Sequence, residues 1–326
     1  MIDQKKLNEL TTGEEFISFL IVTKSEVKTA KNGKLYLNLE MRDQSLSLPA
    51  KMWDKIDDVK NILKEGTIVK VAGTLEEFAG APQIRIDKIR PAKEDDNVKP
   101  EDFLPKSKRP LNEMIDEFNR VINSISNPYL NQLLKNIFSG DSLNKFTLSP
   151  AGKGWHHAYI HGLLEHTLEI VKICDLICSI HSEVNRDLLI SGALLHDYGK
   201  TEELTYDINF DYSDKGKLIG HIMIGALAAE KSAADIDGFP AELKEQLLHL
   251  ILSHQGKLEF ASPVEPKTLE AIVLYQADEL SAKTNAYKNA IESEKNKGSK
   301  WTRFLPLANT SLFIPGENFD EKNLTD

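Results

Sequence analysis

The strongest constraint in this chain is a change of hydrophobic period. Up to about residue 90, apolar side chains alternate with polar ones, as in Phe16-Ile17-Ser18-Phe19-Leu20-Ile21-Val22, Leu35-Tyr36-Leu37-Asn38-Leu39 and Leu46-Ser47-Leu48. From residue 111 onward they return every three or four positions. A period of two buries one face of a strand, and a period near 3.6 buries one face of a helix. The chain therefore predicts a sheet-type unit followed by a helical one. Between them, Pro91 to Pro110 reads PAKEDDNVKPEDFLPKSKRP, with four prolines, mixed charge and neither period. Residues 93–110 are accordingly expected to be a linker without a packed element of its own. A length of 326 residues with 41% hydrophobic side chains is enough for two cores.

In the front unit, turn chemistry at Lys31-Asn32-Gly33-Lys34 and Arg42-Asp43-Gln44-Ser45 separates the first three strands and favours a meander. A short helical stretch over 56–64 precedes two further strands, over 67–75 and 82–89. Three strands, a helix and two strands is the order of a five-stranded OB-fold barrel, expected here over residues 1–92. Beyond the linker, helical spacing covers 111–125, 128–138, 158–180, 186–195, 221–234, 241–252 and 267–288. The fold class expected is thus multidomain α and β: an N-terminal barrel, then an all-helical unit over 111–326, whose tail from Trp301 to Ile314 packs back on a neighbour.

Several classes are excluded or disfavoured. The only cysteines, Cys174 and Cys178, lie four apart on a helical pattern and read as buried reduced thiols, so neither a disulfide framework nor a Cys-rich zinc site is available. The N-terminus lacks the apolar core of a signal peptide, and no apolar run approaches the roughly 20 residues that span a bilayer. A cytoplasmic protein with no membrane partner is the expectation. The net charge of −10 argues at first against a polyanionic partner. It is unevenly spread: residues 1–93 hold 16 basic against 14 acidic side chains, and residues 94–326 hold 24 against 36. First contact with a nucleic acid would therefore fall to the front unit, and cations would offset the acidic remainder.

The chemistry lies in an ordered series: His166, His196-Asp197, His221, His254 and Asp278. Each member falls on or at the end of a different predicted helix, except the adjacent pair. Neighbouring helix positions point about 100° apart, so His196 can face one ion while Asp197 turns toward a second. Imidazole and carboxylate suit Mn, Fe, Co, Ni or Zn, and a helical bundle can converge one ligand from each of several helices. Singly, each histidine is more often a hydrogen-bonded core or surface residue; only the collective order raises the ligand reading.

That order resembles the HD phosphohydrolase superfamily over roughly residues 150–290, with supporting contexts in Gly192-Ala193-Leu194-Leu195-His196-Asp197-Tyr198-Gly199-Lys200, Gly220-His221 and Leu252-Ser253-His254-Gln255-Gly256. With an OB-like unit in front, the whole chain resembles the YhaM-type 3′-5′ exoribonucleases, most closely in His156-His157-Ala158-Tyr159, Gly162-Leu163-Leu164-Glu165-His166-Thr167 and the run 262–271. The resemblance implies His166, His196, Asp197 and Asp278 around one metal, and Asp197, His221 and His254 around another. It further implies two divalent ions per chain, Mn²⁺ favoured with Co²⁺, Fe²⁺, Ni²⁺ or Mg²⁺ as substitutes, that activate a water for phosphodiester hydrolysis. Asp197 is then catalytic as the bridge, and Lys200 places a charge on the scissile phosphate, although a lysine there can equally cap a helix end.

Single-stranded RNA is the expected substrate, with single-stranded DNA a possible second and a homo-oligomer a possible assembly. Candidate contacts are His157 near the centre and Tyr36, Trp53 and Arg85 on the barrel, with Phe78, Lys24, Lys28, Lys31, Lys34, Lys88 and Arg90 as further candidates; against them stands the usual role of barrel aromatics in a core. His161 and His249 read as structural and His181 as solvated. Two other functions fit the same residues: hydrolysis of small or cyclic nucleotides with a regulatory barrel, and non-catalytic nucleic-acid binding. Polarity of digestion rests on the resemblance alone.

Overall fold

The structure, a computed structural model, describes residues 4–295, 299–306 and 308–315. Five strands form the front unit: β1 Glu15–Thr29, β2 Leu35–Arg42, β3 Ser47–Met52, β4 Ile68–Phe78 and β5 Ala81–Pro91. They pair in the order β1-β2-β3-β5-β4, and β4 pairs back with β1, which closes the barrel. One long strand makes closure possible. β1 pairs with β4 over Glu15 to Ile21 and with β2 over Ile21 to Thr29, and a register shift between Val22 and Lys24 turns it from one partner to the other. The inward positions, among them Leu20, Val22, Leu37, Leu39, Met41, Val69, Val71 and Ile84, form one core.

The helix expected over 56–64 is a single 3-10 turn, Ile56–Asp58, followed by hydrogen-bonded turns. So short a stretch does not repay helix nucleation, and Ile56 and Leu63 anchor it by burial instead. The linker differs more from expectation. It contains two 3-10 turns, Glu94–Asp96 and Pro100–Phe103, and both Phe103 and Leu104 are buried. Pro105 accepts from the Ile160 amide at 2.8 Å, and the Ser107 amide donates back to Ile160 at 3.0 Å. The prolines that deny the segment a period hold it extended, and extended backbone bonds readily to a neighbouring loop.

The rear unit carries α1 Leu111–Asn123, α2 Pro128–Ile137, α3 Gly140–Leu148, α4 Gly162–Ile180, α5 Arg186–Leu195, α6 Lys200–Glu203, α7 Asp214–Ile219, α8 His221–Ala234, α9 Ala241–Ser253 and α10 Leu269–Glu292. Asn127, Asn185 and Thr268 cap α2, α5 and α10 with their side chains. α5 is central: every residue from Leu188 to Leu195 is buried. The unit is not wholly helical, because β6 Leu204–Tyr206 and β7 Phe210–Tyr212 form a hairpin whose turn meets the barrel. There Arg42 of β2 donates to Asn209 Oδ1 at 2.8 Å and to the Ile208 carbonyl. α4 starts at Gly162 rather than 158 because His157 and His161, at φ 42° and 70°, occupy the left-handed region that helices exclude.

Past α10, Trp301 pairs with Phe313 and Leu305 with Thr310, and the Arg303 amide donates to Glu294 at the helix end. The final part of the unit expected over 111–326, residues 316–326, lies outside the described residues. Among the described residues no helix is long and apolar enough to cross a membrane.

Candidate metal centre

The ordered series converges on one carboxylate. His166 sits in the second turn of α4, His196 caps the end of α5 with Asp197 next to it, His221 opens α8, His254 caps α9 and Asp278 lies inside α10. Helix ends supply four of the six groups: His196, Asp197 and His254 lie just past the last turns of α5 and α9, and His221 opens α8. Gly199 makes the approach of α8 possible. A methyl group there would lie 2.0 Å from the His221 carbonyl oxygen and 2.8 Å from the Gly225 amide. Gly199→Ala must therefore displace the helix that delivers His221. It is expected to cost about 1–3 kcal/mol of stability and to weaken binding of Mn²⁺, read by denaturant unfolding and metal titration of the same variant.

Asp197 is 1% exposed, and its two oxygens face different histidines. Oδ2 lies 3.3 Å from His196 Nε2 and 3.7 Å from His166 Nε2. Oδ1 lies 3.3 Å from His221 Nε2 and 3.6 Å from His254 Nε2. Asp278 Oδ1 adds a carboxylate 3.1 Å from His166 Nε2, on the Oδ2 side. The donor atoms of His166, His196 and Asp197 lie within 4.8 Å of one another, as do those of Asp197, His221 and His254. Both trios are spaced to share an ion, and Asp197 belongs to each.

The proton positions also suit metal ligation. His196 Nδ1 donates to the Ala193 carbonyl at 2.8 Å and His254 Nδ1 to the Ile251 carbonyl at 2.7 Å. His221 Nδ1 lies 3.0 Å from Glu203 Oε1, and His166 Nδ1 lies 3.0 Å from the Ser281 hydroxyl. With the proton on Nδ1, each ring turns its Nε2 toward the centre, that of His254 also lying 3.2 Å from the Gln255 amide nitrogen. The Nε2 atoms of His166, His196 and His221 and the Oδ1 of Asp197 are buried and make no hydrogen bond. Four orphaned polar atoms around one point are costly in a protein interior unless a cation takes them, so the donor set fits divalent metal.

Electrostatics favour the ligating form at two of the histidines. Burial pushes the pKa of His166 and of His254 down, against the nearby Asp278 and Asp197 carboxylates, so both favour the neutral form that binds metal. Burial works the same way on His196, but the Asp197 charge beside it prevails and its pKa rises. For Asp197 burial works to raise the pKa, yet Lys200 and then His196 hold it well below the usual carboxylate range. Lys200 is itself 7% exposed, with Nζ 2.6 Å from Asp197 Oδ2.

The other predicted site residues divide into two groups. His157 is wholly buried, with Nε2 3.3 Å from Glu169 and its amide bonded to Asn285, so it offers no surface to a substrate. This corrects its reading as a contact. Its neighbour His156 faces the centre instead, the ring 4.7 Å from that of His166, with a pKa lowered to about 2, chiefly by burial. The nitrogens of His156, His157 and His166 also lie close together. His166 Nδ1, however, is engaged with Ser281 and its Nε2 faces Asp278 and Asp197, so this trio is not read as a separate centre. His161 bonds to the Thr147 carbonyl and His249 accepts from the Lys267 amide, which gives both the structural role expected.

On the barrel, Tyr36 and Trp53 stack on each other with centroids 4.6 Å apart, and the Lys51 ammonium lies over Tyr36 and over the exposed ring of Phe78. Arg85, paired in register with Lys51, is engaged with Glu76, Asp87 and Thr74. Glu203, Ser281, Glu169 and His156 escaped the sequence reading. A spacing signal existed for three of them, since Glu169, Ser281 and Glu203 each lie three residues beyond His166, Asp278 and Lys200 respectively, on the same helix face.

An OB barrel ahead of a helical unit with this His/Asp centre defines a class of protein, and comparison with known families agrees. Residues 163–283 match the HD domain and residues 21–92 the OB-fold nucleic acid binding domain. The chain is 34% identical to the 3′-5′ exoribonuclease YhaM of Bacillus subtilis (strain 168) over 303 residues, 93% of this chain and 96% of the relative. The Bacillus velezensis and Bacillus pumilus enzymes of the same name match over the same share of both chains at 34% and 33% identity. The chain belongs to the YhaM family.

Proposed function

We propose that this chain is a metal-dependent 3′-5′ exoribonuclease that hydrolyses the terminal phosphodiester of single-stranded RNA. The observation that carries the reading is Asp197, whose two oxygens face separate histidine pairs in which the Nε2 atoms of His166, His196 and His221 make no hydrogen bond. His166, His196, Asp197 and Asp278 would hold one divalent ion, and Asp197, His221 and His254 a second; Mn²⁺ suits the mixed imidazole and carboxylate set. Bound there, such ions supply Lewis acidity toward the phosphodiester and lower the pKa of a water. The residues of the chain do the rest. Buried α5 and the inner face of α9 fix His196, Asp197 and His254, the Nδ1 partners set the tautomer and orientation of the rings, and Lys200 offsets the negative charge that Asp197 and an incoming phosphate bring together.

The barrel's part is to hold the strand. Base stacking on aromatic rings is tolerant of sequence, and Tyr36 and Trp53 present such a surface beside Lys51. Trp53→Ala is expected to weaken single-stranded RNA binding about 5- to 150-fold, the equivalent of about 1–3 kcal/mol of lost stacking. Hydrolysis of bis(p-nitrophenyl) phosphate, which needs no strand, should stay unchanged in the same variant.

The deciding experiment is incubation with Mn²⁺ and single-stranded RNA labelled at one end, then at the other. With 5′-label a ladder shortening from the 3′ end is expected, and with 3′-label immediate release of a mononucleotide. Turnover of a small or cyclic nucleotide without laddering overturns the nuclease reading. Binding of less than about one divalent ion per chain after metal loading overturns catalysis altogether.

A further inference from the structure

Three of the four Nδ1 positions around the centre are held by groups whose hydrogen-bond role is fixed. Carbonyl oxygens at Ala193 and Ile251 and the Glu203 carboxylate can only accept. His166 is different, because its partner is the hydroxyl of Ser281, which can accept or donate. If Ser281 donated to Nδ1, the ring proton would sit on Nε2, 3.1 Å from Asp278 Oδ1, and the lone pair needed for a metal would be gone.

We infer that Glu169 removes this ambiguity and is a positioning residue of the metal centre. The Ser281 hydroxyl donates to Glu169 Oε2 at 2.7 Å. A hydroxyl has one proton, so Ser281 toward His166 is left only as an acceptor, and Nδ1 must carry the hydrogen. Glu169 sits one turn beyond His166 on α4, and Ser281 one turn beyond Asp278 on α10, so the relay closes across the two helices that supply this side of the centre. The same carboxylate oxygen lies 3.3 Å from Nε2 of the buried His157. That contact is a close approach without a hydrogen bond, and the same ring's Nδ1 lies 3.4 Å from Nδ1 of His156. The competition is between two acceptors for one imidazole proton: Asp278 draws it to Nε2, the Glu169–Ser281 relay draws it to Nδ1. The inference rests on the metal centre proposed above and adds to it a residue three positions from any ligand.

Glu169→Gln and Ser281→Ala test it. Metal-free wild-type protein with ¹⁵N-labelled histidine should show His166 as the Nδ1–H tautomer, and each variant should shift it toward Nε2–H. Direct titration with Mn²⁺ should show affinity reduced about 10- to 100-fold in each variant, the usual effect of removing a group that orients a metal ligand. The double variant should lose no more than the worse single one, because the two residues act in one chain. Equal Mn²⁺ affinity in both variants and wild type overturns the relay, as does additive loss in the double variant. Failure of the wild type to bind Mn²⁺ is a separate result, and it overturns the metal centre itself. Should Glu169→Gln fail to fold, Ser281→Ala alone decides, since it removes the acceptor of His166 without touching the His157 contact.

Discussion

Asp197→Asn should lose RNA hydrolysis by a factor on the order of 10³ or more while the far-ultraviolet circular dichroism stays that of the wild type. The expectation follows from the position of both oxygens. An amide keeps the shape of the side chain but replaces one acceptor by a donor, and whichever way it turns, an N–H group faces one of the two histidine pairs. The trio that meets the nitrogen loses an anionic ligand; the other keeps only a neutral one. Metal stoichiometry should fall with activity. Asparagine is preferred to alanine as the diagnostic change because its amide oxygen can still accept from Lys200, 2.6 Å from Oδ2 in the native site. Alanine would leave that buried ammonium without its partner and confuse loss of chemistry with loss of fold. A variant that binds two Mn²⁺ ions and keeps a tenth of the activity would show that Asp197 does not bridge.

The parts of this architecture that were legible in the sequence are those a single chain segment determines. Strand alternation from Glu15 to Pro91 determines which side chains enter the barrel, and the order of strands suffices for its topology. The convergence of the His/Asp series was legible because each histidine or aspartate lies at an informative place on its helix, and His196-Asp197 closes an apolar run too long to be solvated. What escaped is pairwise. Ser281 looks like any serine on a half-polar helix, and only the approach of α4 to α10 makes it the acceptor of His166. Phe103 and Leu104 are two apolar residues among prolines and charges, and nothing local tells that a core waits for them. His157 looked like a substrate contact because it stands beside His156, but both rings lie against His166, and His157 is wholly buried there beside Glu169.

The second large effect should come from Lys200, and it should depend on whether metal is present. In metal-free protein Lys200 is the only side-chain ammonium in contact with Asp197 among the described residues, and both groups are buried. Lys200→Met removes the charge and keeps most of the volume. Breaking one side of a buried ion pair costs about 3–5 kcal/mol, because the remaining charge has left water without compensation. A loss of that size in a unit of about 200 residues lowers Tm by on the order of 10 °C. Divalent ions bring their own positive charge to the same carboxylate and stabilise the folded state by about 2.7 kcal/mol at one hundred times Kd. The deficit measured in EDTA should therefore shrink markedly in saturating Mn²⁺. Thermal melts of wild type and Lys200→Met, each with EDTA and with Mn²⁺, separate the two roles of the lysine. An equal deficit in both conditions would mean that Lys200 only fills space and pairs locally. A deficit confined to the metal-free state, together with reduced kcat in the metal-loaded variant, would mean that the ammonium counters Asp197 until metal arrives and then serves the phosphate.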